Sequence, residues 1–443
     1  MTGAWIVGGA LRDEMLGRPV RDVDMVVTGD PERAARETAA RVGGPVFRLS
    51  EAFGAWRVID RRDGRVFDFS PLQGDTIEED LARRDFTVNA MARPREGGEL
   101  IDPFGGRADV ESRTLRVLGA QAYESDPLRP LRLVRFVSEL GFTSDRETER
   151  LTRDAAPGVA QAAGERVFAE LRRLVIADGV LDALRLADRL GVLAAVLPEL
   201  VALHAVEQSH YHHLDVYDHT LEVLSQLIEL EREVSPRLRS VLDEPLADEL
   251  SRGQALRFGA LLHDIGKPPT REVRQDGRVT FMRHDRIGEE MVRAVCRRLR
   301  TSERLARFLA ALTRQHLVLG FLVHERPLDR RKIYRYLART SPVEVEVTLL
   351  SCADRLATGG RKAAQATEAH LELARELMEA ALDWREHGPP ALPLRGDELA
   401  SELGLEPGPE LGRLIDALVE AVYAGEATTR GEAVELARRL QSG

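Results

Sequence analysis

The sequence has little of what braces a chain covalently or anchors it in a membrane. Its only cysteines, Cys296 and Cys352, are too few for a disulfide framework or a zinc-finger ligand set, and this scarcity is typical of a reducing cytosol. No apolar run approaches the roughly 18 residues needed to span a bilayer. The segment Met1–Trp5 also lacks the basic region of a signal peptide. We therefore expect a soluble cytoplasmic protein without a membrane partner.

Lysine is almost absent as well. Lys267, Lys332 and Lys362 are the only lysines, so nearly all cations are arginine, which suits bidentate phosphate contacts. The formal net charge of −10 argues mildly against a nucleic-acid partner, but residues 293–340 carry 13 Lys or Arg and only 3 Asp or Glu. That stretch is either a surface for a phosphate backbone or a solvated helical face, and the sequence leaves both interpretations open.

The order of predicted elements indicates an α+β chain. A length of 443 residues is enough for about three domains. A helix is expected after Asp30-Pro31, and helical periodicity runs from about residue 119 nearly to the end, broken by the linker 388–393. Before residue 119, β-branched and aromatic residues predict strands at 5–7, 23–27, 46–49, 56–59 and 66–69.

The amino-terminal part carries a first group of chemically useful residues. Gly8-Gly9 follows a strand and opens a helical segment, where backbone N–H groups can approach a phosphate. Asp22 and Asp24 share one strand face and can hold hard cations such as Mg²⁺. Asp68 interrupts an apolar strand, where an unpaired carboxylate is costly. Each acid alone is best read as a solvated carboxylate, but the combination favours a metal and nucleotide site.

The string Arg83-Arg84-Asp85-Phe86-Thr87-Val88-Asn89 adds cations, an acid and an amide that can bind ribose hydroxyls and a triphosphate. With it, the chain resembles the bacterial tRNA nucleotidyltransferase and poly(A) polymerase family, the class II CCA-adding enzymes. The resemblance rests on Gly8-Gly9-x-x-Arg12-Asp13, Leu16-Gly17, Asp22-x-Asp24, the Arg-Arg-Asp-Phe-Thr-x-Asn string and Asp102-Pro103-x-Gly105-Gly106.

This resemblance implies a fold and a set of roles. It implies a polymerase-β-like head with a mixed sheet over residues 1–118, a helical neck over 119–200, an HD metal-binding body over 201–370 and a tRNA-contacting helical tail over 371–443. Asp22 and Asp24 would hold two catalytic Mg²⁺ ions, with Asp68 as a third carboxylate. The nucleotide would be bound by Gly8, Gly9, Arg12, Arg84, Asp85 and Asn89.

The neck is similar to the family's base-reading motif. Asp126 and Arg129 are three residues apart, so they are expected to share one helix face, followed by Arg132 and Arg135. Asp accepts hydrogen bonds and Arg donates them, so the pair would match cytosine and adenine and reject uracil and guanine. Ser125 replaces the family's usual Glu. Without the resemblance, the Asp–Arg pair reads as an exposed ion pair of little energetic weight.

The body carries a second group of residues. His263-Asp264 follows an apolar run, and each further member of the group is predicted on a separate helix, so the side chains could converge in a bundle core. The set resembles the HD phosphohydrolase fold, and its mixed imidazole and carboxylate ligands suit Mn, Ni, Fe or Mg. The minimal site would be His219, His263, Asp264 and Asp354, with His284 and His316 as the additional ligands of two-metal members. The nearby cluster of His210, His212 and His213 is given no role.

The expected function is CTP- and ATP-dependent extension of the tRNA 3′ end. CC-only addition is the main competitor, because only residues 69–82 separate Asp68 from Arg83, and A-only addition is third. Two hypotheses from different classes are an HD phosphohydrolase with a degenerate head and a non-catalytic RNA-binding protein. The sequence does not indicate the oligomeric state or the HD substrate.

Overall fold

A computed structural model describes residues 3–51, 54–208, 214–358 and 363–442. The chain divides into two compact units, Met1–Val196 and Leu197–Gly443. The first unit contains the predicted head and neck, and the second contains the predicted body and tail. The four-part division into head, neck, body and tail stays a prediction at its finer boundaries.

The head is built on a six-stranded mixed sheet, as the α+β prediction required. The strand order is β3-β4-β5-β2-β1-β6, with β2 and β5 parallel and every other neighbouring pair antiparallel. All five predicted strands are present. The strands are β1 (Ala4–Val7), β2 (Asp22–Val27), β3 (Val46–Ser50), β4 (Ala55–Ile59), β5 (Val66–Pro71) and β6 (Ala92–Pro94), and the helices are α1 (Gly9–Met15), α2 (Pro31–Val42), α3 (Ile77–Leu81) and α4 (Gly106–Glu111).

The predicted helix after Asp30-Pro31 forms as α2, and local chemistry explains both of its ends. The Asp30 side chain accepts a hydrogen bond from the Glu32 backbone N–H, and Pro31 occupies the first helical position. Gly43 ends the helix with a left-handed φ of 67°. The small residues Ala34 and Ala35 let the helix pack closely on the buried face of the sheet that contains Phe69. Because side chains alternate along a strand, Asp24 and Asp68 lie on the opposite face.

The neck consists of helices and one short strand, β8 (Thr143–Ser144), which pairs in parallel with β7 (Thr114–Leu115) at the end of the head. The predicted apolar stripe through Leu131 and Val134 is buried. The short strand β8 departs from the all-helical prediction made for residues after about 119. The neck helices are α5 (Ala120–Ser125), α6 (Arg129–Leu140), α7 (Arg146–Ala155), α8 (Gly164–Ile176), α9 (Val180–Arg189) and α10 (Val192–Val196).

The second unit is mainly helical, as predicted, but it also contains two small hairpins that the helical periodicity did not indicate. The hairpin strands are β9 (Pro245–Ala247), β10 (Leu250–Ser251), β11 (Arg271–Val273) and β12 (Val279–Phe281). The helices of the body are α11 (Pro198–Val201), α12 (Val216–Glu233), α13 (Pro236–Leu242), α14 (Arg252–Leu262), α15 (His284–Leu299), α16 (Glu303–Gln315), α17 (Val318–Leu322), α18 (Arg330–Thr340), α19 (Glu344–Ala357) and α20 (Ala363–His387).

The carboxyl-terminal part of the predicted tail follows the predicted linker, which is non-helical between His387 and Gly396. Its helices α21 (Gly396–Leu403), α22 (Pro409–Ala424) and α23 (Arg430–Ser442) enclose a small core of their own around Leu399 and Leu418.

One helical stretch, Glu303–Glu325, is long and apolar enough to cross a membrane by length and composition alone. Half of its most apolar window is buried inside the protein, and a core helix of a soluble protein passes the same test. The stretch also carries the buried His316, whose surroundings are described below.

Candidate active site and candidate metal centre

The glycine turn after β1 brings the backbone against charged side chains. Gly8 has a φ of 73°, a left-handed value that favours glycine. A Cβ added to Gly8 would lie 2.9 Å from Nη1 of Arg84 and 3.6 Å from Oδ2 of Asp24. In the helix that follows, Nη1 of Arg12 donates to Oδ1 of Asn89 at 2.6 Å. The Gly8-Gly9 turn therefore lies close to Asp24 and to the Arg-Arg-Asp-Phe-Thr-x-Asn string.

Sheet register brings the three predicted carboxylates together. Asp24 is the register partner of Asp68 across the parallel β2–β5 pair, and Asp22 lies two residues earlier on the same face of β2. Solvent reaches the Asp24 carboxylate, yet protein atoms surround it closely. The loss of neighbouring water raises the pKa of Asp24, an effect that the adjacent Asp68 and Asp22 reinforce and Arg84 opposes. Such a cluster of like charges is the environment in which a divalent cation stabilises the ionised form.

Arg57 is a member of the site that the sequence did not reveal. It lies opposite Asp68 across β4 and β5, and its Nε and Nη2 donate to the two carboxylate oxygens of Asp68 at 2.7 and 2.6 Å. This bidentate pair offsets the desolvation penalty of a carboxylate in an apolar strand. Only strand register identifies Arg57, because nothing in its own strand distinguishes it from any other outward-facing cation.

Asp85 is the buried centre of a small network that joins head and neck. Its Oδ1 accepts hydrogen bonds from the Phe86 backbone N–H at 2.8 Å and from the Asn89 amide at 2.9 Å, and its Oδ2 lies 2.9 Å from Nη2 of Arg132. Burial opposes the ionised form of Asp85, but Arg132 and the hydrogen bonds outweigh it and lower the pKa. Asp85 is therefore a fixed anion that orients its neighbours.

The head and neck of the first unit enclose a cavity of about 820 Å³. Nine arginines and five aspartates line it, so it has more cationic than anionic side chains, a balance that favours a polyphosphate. The lining includes all the predicted head residues, namely Gly8, Gly9, Arg12, Asp22, Asp24, Asp68, Arg84, Asp85 and Asn89, with Arg129, Arg132 and Arg135 from the neck and Arg57, Arg172 and Arg173 as residues not expected from sequence.

The expectation that Asp126 and Arg129 share a helix face is wrong. Asp126 ends α5 with extended dihedral angles, and α6 begins at Arg129. The cause is Pro127, because a residue that precedes proline is disfavoured in the helical region. The carboxylate of Asp126 accepts from Arg166 at 2.7 Å and from the Leu128 backbone N–H at 3.1 Å.

Arg129 is held by backbone carbonyls rather than by a carboxylate. Its guanidinium donates to the carbonyl oxygens of Arg84 at 3.0 Å, Ala122 at 2.9 Å and Arg83 at 2.7 Å. Arg129 thus ties the neck to the double-arginine string of the head. It lines the cavity, whereas Asp126 does not.

The predicted body ligands come from five helices of the second unit and converge. Two groups of three have their ligand atoms within 4.8 Å of one another. The first contains His219 (α12), His263 (the end of α14) and Asp354 (α19), and the second contains Asp264, His284 (α15) and His316 (the end of α16). The additional His210, His212 and His213 lie outside the described residues.

Backbone carbonyls fix the orientation of three of these imidazoles. The Nδ1 atoms of His263, His284 and His316 lie 2.8, 2.8 and 2.7 Å from carbonyl oxygens three residues earlier in the chain. In the neutral ring each Nδ1 then carries the proton, which leaves Nε2, on the interior side, as the ligand atom. This is the tautomer that a metal-binding histidine uses. At His263, burial opposes protonation, but the adjacent Asp264 outweighs it and raises the pKa of the imidazole.

In the second group, the spacing of the ligand atoms fits a shared cation better than it fits hydrogen bonds between the ligands. Nε2 of His284 lies 3.2 Å from Nε2 of His316, so two lone pairs face each other. Oδ1 of Asp264 lies 3.5 and 3.7 Å from these nitrogens, beyond a good hydrogen bond. Burial together with the two neighbouring histidines lowers the pKa of His316 to about 4, so this imidazole is neutral. Two imidazole nitrogens and a carboxylate around one space are a fitting ligand set for a divalent metal.

In the first group, two of the ligand atoms already contact carboxylates of the site. Nε2 of His219 lies 2.9 Å from Oδ1 of Asp354, and Nε2 of His263 lies 3.1 Å from Oδ2 of Asp264, which links the two groups. Burial opposes ionisation of Asp264, but His263 and Lys267 outweigh it and hold its pKa well below the usual range. Lys267, 2.6 Å from the Asp264 carboxylate, was not assigned from the sequence.

Three protein families match successive segments of the chain. Residues 4–73 and 58–116 match the poly A polymerase head domain, residues 141–203 match the family described as a probable RNA and SrmB-binding site of polymerase A, and residues 216–359 match the HD domain.

Full-length relatives have related but distinct names. The chain is 37% identical to an A-adding tRNA nucleotidyltransferase of Deinococcus radiodurans, covering 99% of this chain and 95% of the relative. It is 36% identical to a CC-adding tRNA nucleotidyltransferase of Thermus thermophilus, covering 97% and 92%. A solved CCA-adding enzyme complex with ATP shares the fold, with a TM-score of 0.68 at 21% identity over 99% of this chain and 91% of the other.

Proposed function

We propose, from the premise that this chain belongs to the bacterial tRNA nucleotidyltransferase and poly(A) polymerase family, that it adds C and A to the 3′ end of tRNA from CTP and ATP without a template. The observation that carries this proposal is the cavity in which Asp22 and Asp24 face an excess of arginines. A degenerate head would have lost these carboxylates, so the HD activity is not the main function. A purely RNA-binding role is disfavoured for the same reason.

Asp22 and Asp24 are proposed to hold the head's divalent cations, with Mg²⁺ as the ion that hard carboxylate oxygens prefer. When bound, Mg²⁺ ions supply positive charge at the attacking oxygen and at the leaving pyrophosphate. The exposed carboxylates at the cavity edge fit such ions, because they have free coordination positions facing open space. Asp68 fits less directly, since both of its oxygens already accept from Arg57.

In the reaction, the tRNA 3′ oxygen forms a bond to the α-phosphorus, and the bond from that phosphorus to the pyrophosphate oxygen breaks. Arg84 and Arg132 stand where the triphosphate charge would lie, and Asp85 keeps Arg132 in place. Arg12 holds the Asn89 amide group that would orient the ribose. Positioning and charge neutralisation of this kind are the main means of catalysis in nucleotidyl transfer.

Asp126 and Arg129 are proposed to select the base. Arg129 is presented at the cavity by the backbone of the double-arginine string, and Asp126 is held at the α5–α6 junction by Arg166. For the pair to read one base, Asp126 must exchange its contact with Arg166 for a contact with the base amino group. Nucleotide binding would therefore compete with this ion pair.

The decisive experiment offers three tRNA primers, ending at the discriminator base, at C and at CC, each with CTP, ATP or both in the presence of Mg²⁺. Completion of CCA on all three primers would support the proposal. Failure to extend any primer would contradict it. A run of products that stops at CC, or extension of the CC primer alone by ATP, would identify one of the partial activities.

The second candidate is CC-only addition, and the turn after β5 favours it. In the family, a flexible segment here is the expected lever for changing the pocket from C to A. In this chain the Gln73 backbone N–H donates to Asp80 at 3.1 Å, the Asp75 N–H donates to Glu79 at 2.7 Å and Thr76 caps α3. A turn pinned in this way has little freedom to act as a lever. The A-adding alternative is supported by the name of the Deinococcus relative.

For the second unit we propose a metal-dependent phosphohydrolase site. Its two ligand groups fit Mn, Ni, Fe or Mg, and the adjoining cavity contains Lys267, Arg355 and His370 as candidates to bind a phosphate. When bound, the metal ions supply Lewis-acid polarisation of the phosphate and of an attacking water. We also propose that the protein acts in the cytoplasm, where its tRNA, CTP and ATP partners are found.

A further inference from the structure

A groove beside the metal centre has no role in the functions proposed so far. Its volume is about 710 Å³, and it is formed by the β11–β12 hairpin, the start of α15 and the segment from α16 to α18. Lys267, His284 and Leu317 line both this groove and the cavity that contains the metal ligands. The groove therefore leads directly to the metal centre.

Large apolar side chains stand exposed around the groove. Phe321 is 66% exposed, Met282 is 63% exposed and Val273 is 54% exposed. Phe321 and Met282 line the groove, and Val273 pairs with the lining residue Val279. Exposed aromatic and thioether surfaces grouped at one opening are typical of a binding site, and an aromatic face accepts any nucleobase by stacking.

The same groove contains arginines without an acidic partner. Within the described parts of the chain, neither Arg283 nor Arg286 makes a salt bridge. Among the described side chains, Arg339 has an amide as its partner rather than a carboxylate, with Nε donating to Oε1 of Gln315 at 3.1 Å. In a chain with a net charge of −10, where many arginines are paired with carboxylates, such cations mark a place that receives negative charge from outside.

We propose that this groove binds the terminal nucleotides of a single-stranded RNA and leads its end to the metal centre. A base stacks on Phe321, and Arg286 and Arg339 contact successive phosphates. A mononucleotide needs only the metal centre and its adjoining cavity, whereas a cationic groove that extends away from that centre suits a strand. The inference rests on the phosphohydrolase proposed above, because it assigns that activity a polymeric substrate.

The test places a reporter inside the groove, so that RNA bound in the head does not contribute. Phe321→Trp adds an exposed tryptophan, and the probe is a six-nucleotide oligoadenylate added to the manganese-loaded full chain. The fluorescence of the parent protein, with its three tryptophans, is subtracted. We expect saturable quenching by the hexamer and at least tenfold weaker binding of adenosine monophosphate.

Charge reversal then tests the arginines. In the Phe321→Trp background, R286E/R339E should weaken hexamer binding by about tenfold or more, and it should reduce the slope of log affinity against log salt by about two. R297E/R304E makes the same change of charge on α15 and α16 at exposed residues outside the groove, and it should leave the affinity unchanged. Metal content and thermal unfolding must match the parent protein.

Three results would overturn the proposal: no quenching by the hexamer, equal affinities in the two double variants, or equal affinities for hexamer and mononucleotide. The phosphohydrolase itself is assayed separately with bis(p-nitrophenyl) phosphate on the parent protein. Quenching without turnover would retain the RNA groove and reject the phosphohydrolase. Turnover without quenching would do the reverse.

Discussion

The head cavity and the metal centre of the second unit use charged side chains in opposite ways. In the head, accessible carboxylates on two inner strands of the sheet face many arginines around an open cavity. In the second unit, buried imidazoles converge with two carboxylates from five helices, and backbone carbonyls fix the outer nitrogens of three of the imidazoles. From this difference we propose that the head would receive its cations together with the nucleotide, whereas the second unit would keep a resident metal. The first arrangement suits exchange at every turnover, and the second suits retention.

The largest expected effect concerns the head carboxylates. Asp22→Asn or Asp24→Asn should lower kcat for nucleotide addition by about a thousandfold or more, because a neutral amide does not hold the charge of a hard cation. Binding of tRNA, measured by filter retention, should change little. Asp63→Asn, which removes an exposed loop carboxylate, is the matched control. Turnover within tenfold of the parent protein would remove these residues from the catalytic site.

The resident metal is tested by His263→Ala. This variant should lose bound divalent metal, measured by mass spectrometry after gel filtration, and lose phosphohydrolase turnover by about a hundredfold or more. Nucleotide addition should continue, because no ligand of the second unit lines the head cavity.

His387→Ala is the matched control, since His387 is exposed and belongs to neither ligand group. Because His263 is fully buried, Asp264→Asn provides a second variant that preserves side-chain volume. Retention of metal by both folded variants would contradict the assignment. Loss of nucleotide addition in both would show that the two sites are not independent.

Loss of base selection by the neck is expected to be a smaller effect. Asp126→Ala should raise misincorporation of UTP and GTP by about tenfold, since one bidentate contact contributes roughly 1–3 kcal/mol of discrimination. Glu147→Ala, which removes an exposed acid of the neck, is the control. The measurement is kcat/KM for each nucleotide on the discriminator-ended primer. Unchanged ratios would place base reading in other residues.

The smallest expected effect is that of Asp68→Asn. Both oxygens of Asp68 accept from Arg57, so this carboxylate is less available to a cation than Asp22 or Asp24, and its removal should lower kcat by only about tenfold. Arg57→Lys should retain part of the activity, because a cation remains opposite Asp68. A loss in Asp68→Asn as large as that in Asp22→Asn would show that Asp68 leaves Arg57 to bind metal during turnover.

Local features of the sequence predicted the elements well. The β-branched runs predicted five of the six strands of the head sheet, all except β6, and Asp30-Pro31 predicted the start of α2, because these signals act between neighbouring residues. The Asp126–Arg129 helix face failed because helical spacing was applied across Pro127, although proline itself signals the break. Arg57 and Arg166 could not be predicted, since their partners are joined by strand register and helix packing. The convergence of the body ligands was expected from their placement on separate predicted helices, but their division into two groups of three follows only from the packing of five helices.

The carbonyl contacts of His263, His284 and His316 have a consequence for how the metal is captured. A histidine that is free to rotate must give up conformational freedom when it becomes a ligand, and ordering a side chain can oppose binding by up to about 1 kcal/mol or somewhat more. Here each ring is already held by an acceptor three residues earlier in the chain. The side chains therefore lose this conformational entropy when the protein folds, and not when it binds a metal. Less of the free energy of coordination would then be spent on ordering the ligands, which would raise the affinity for the metal.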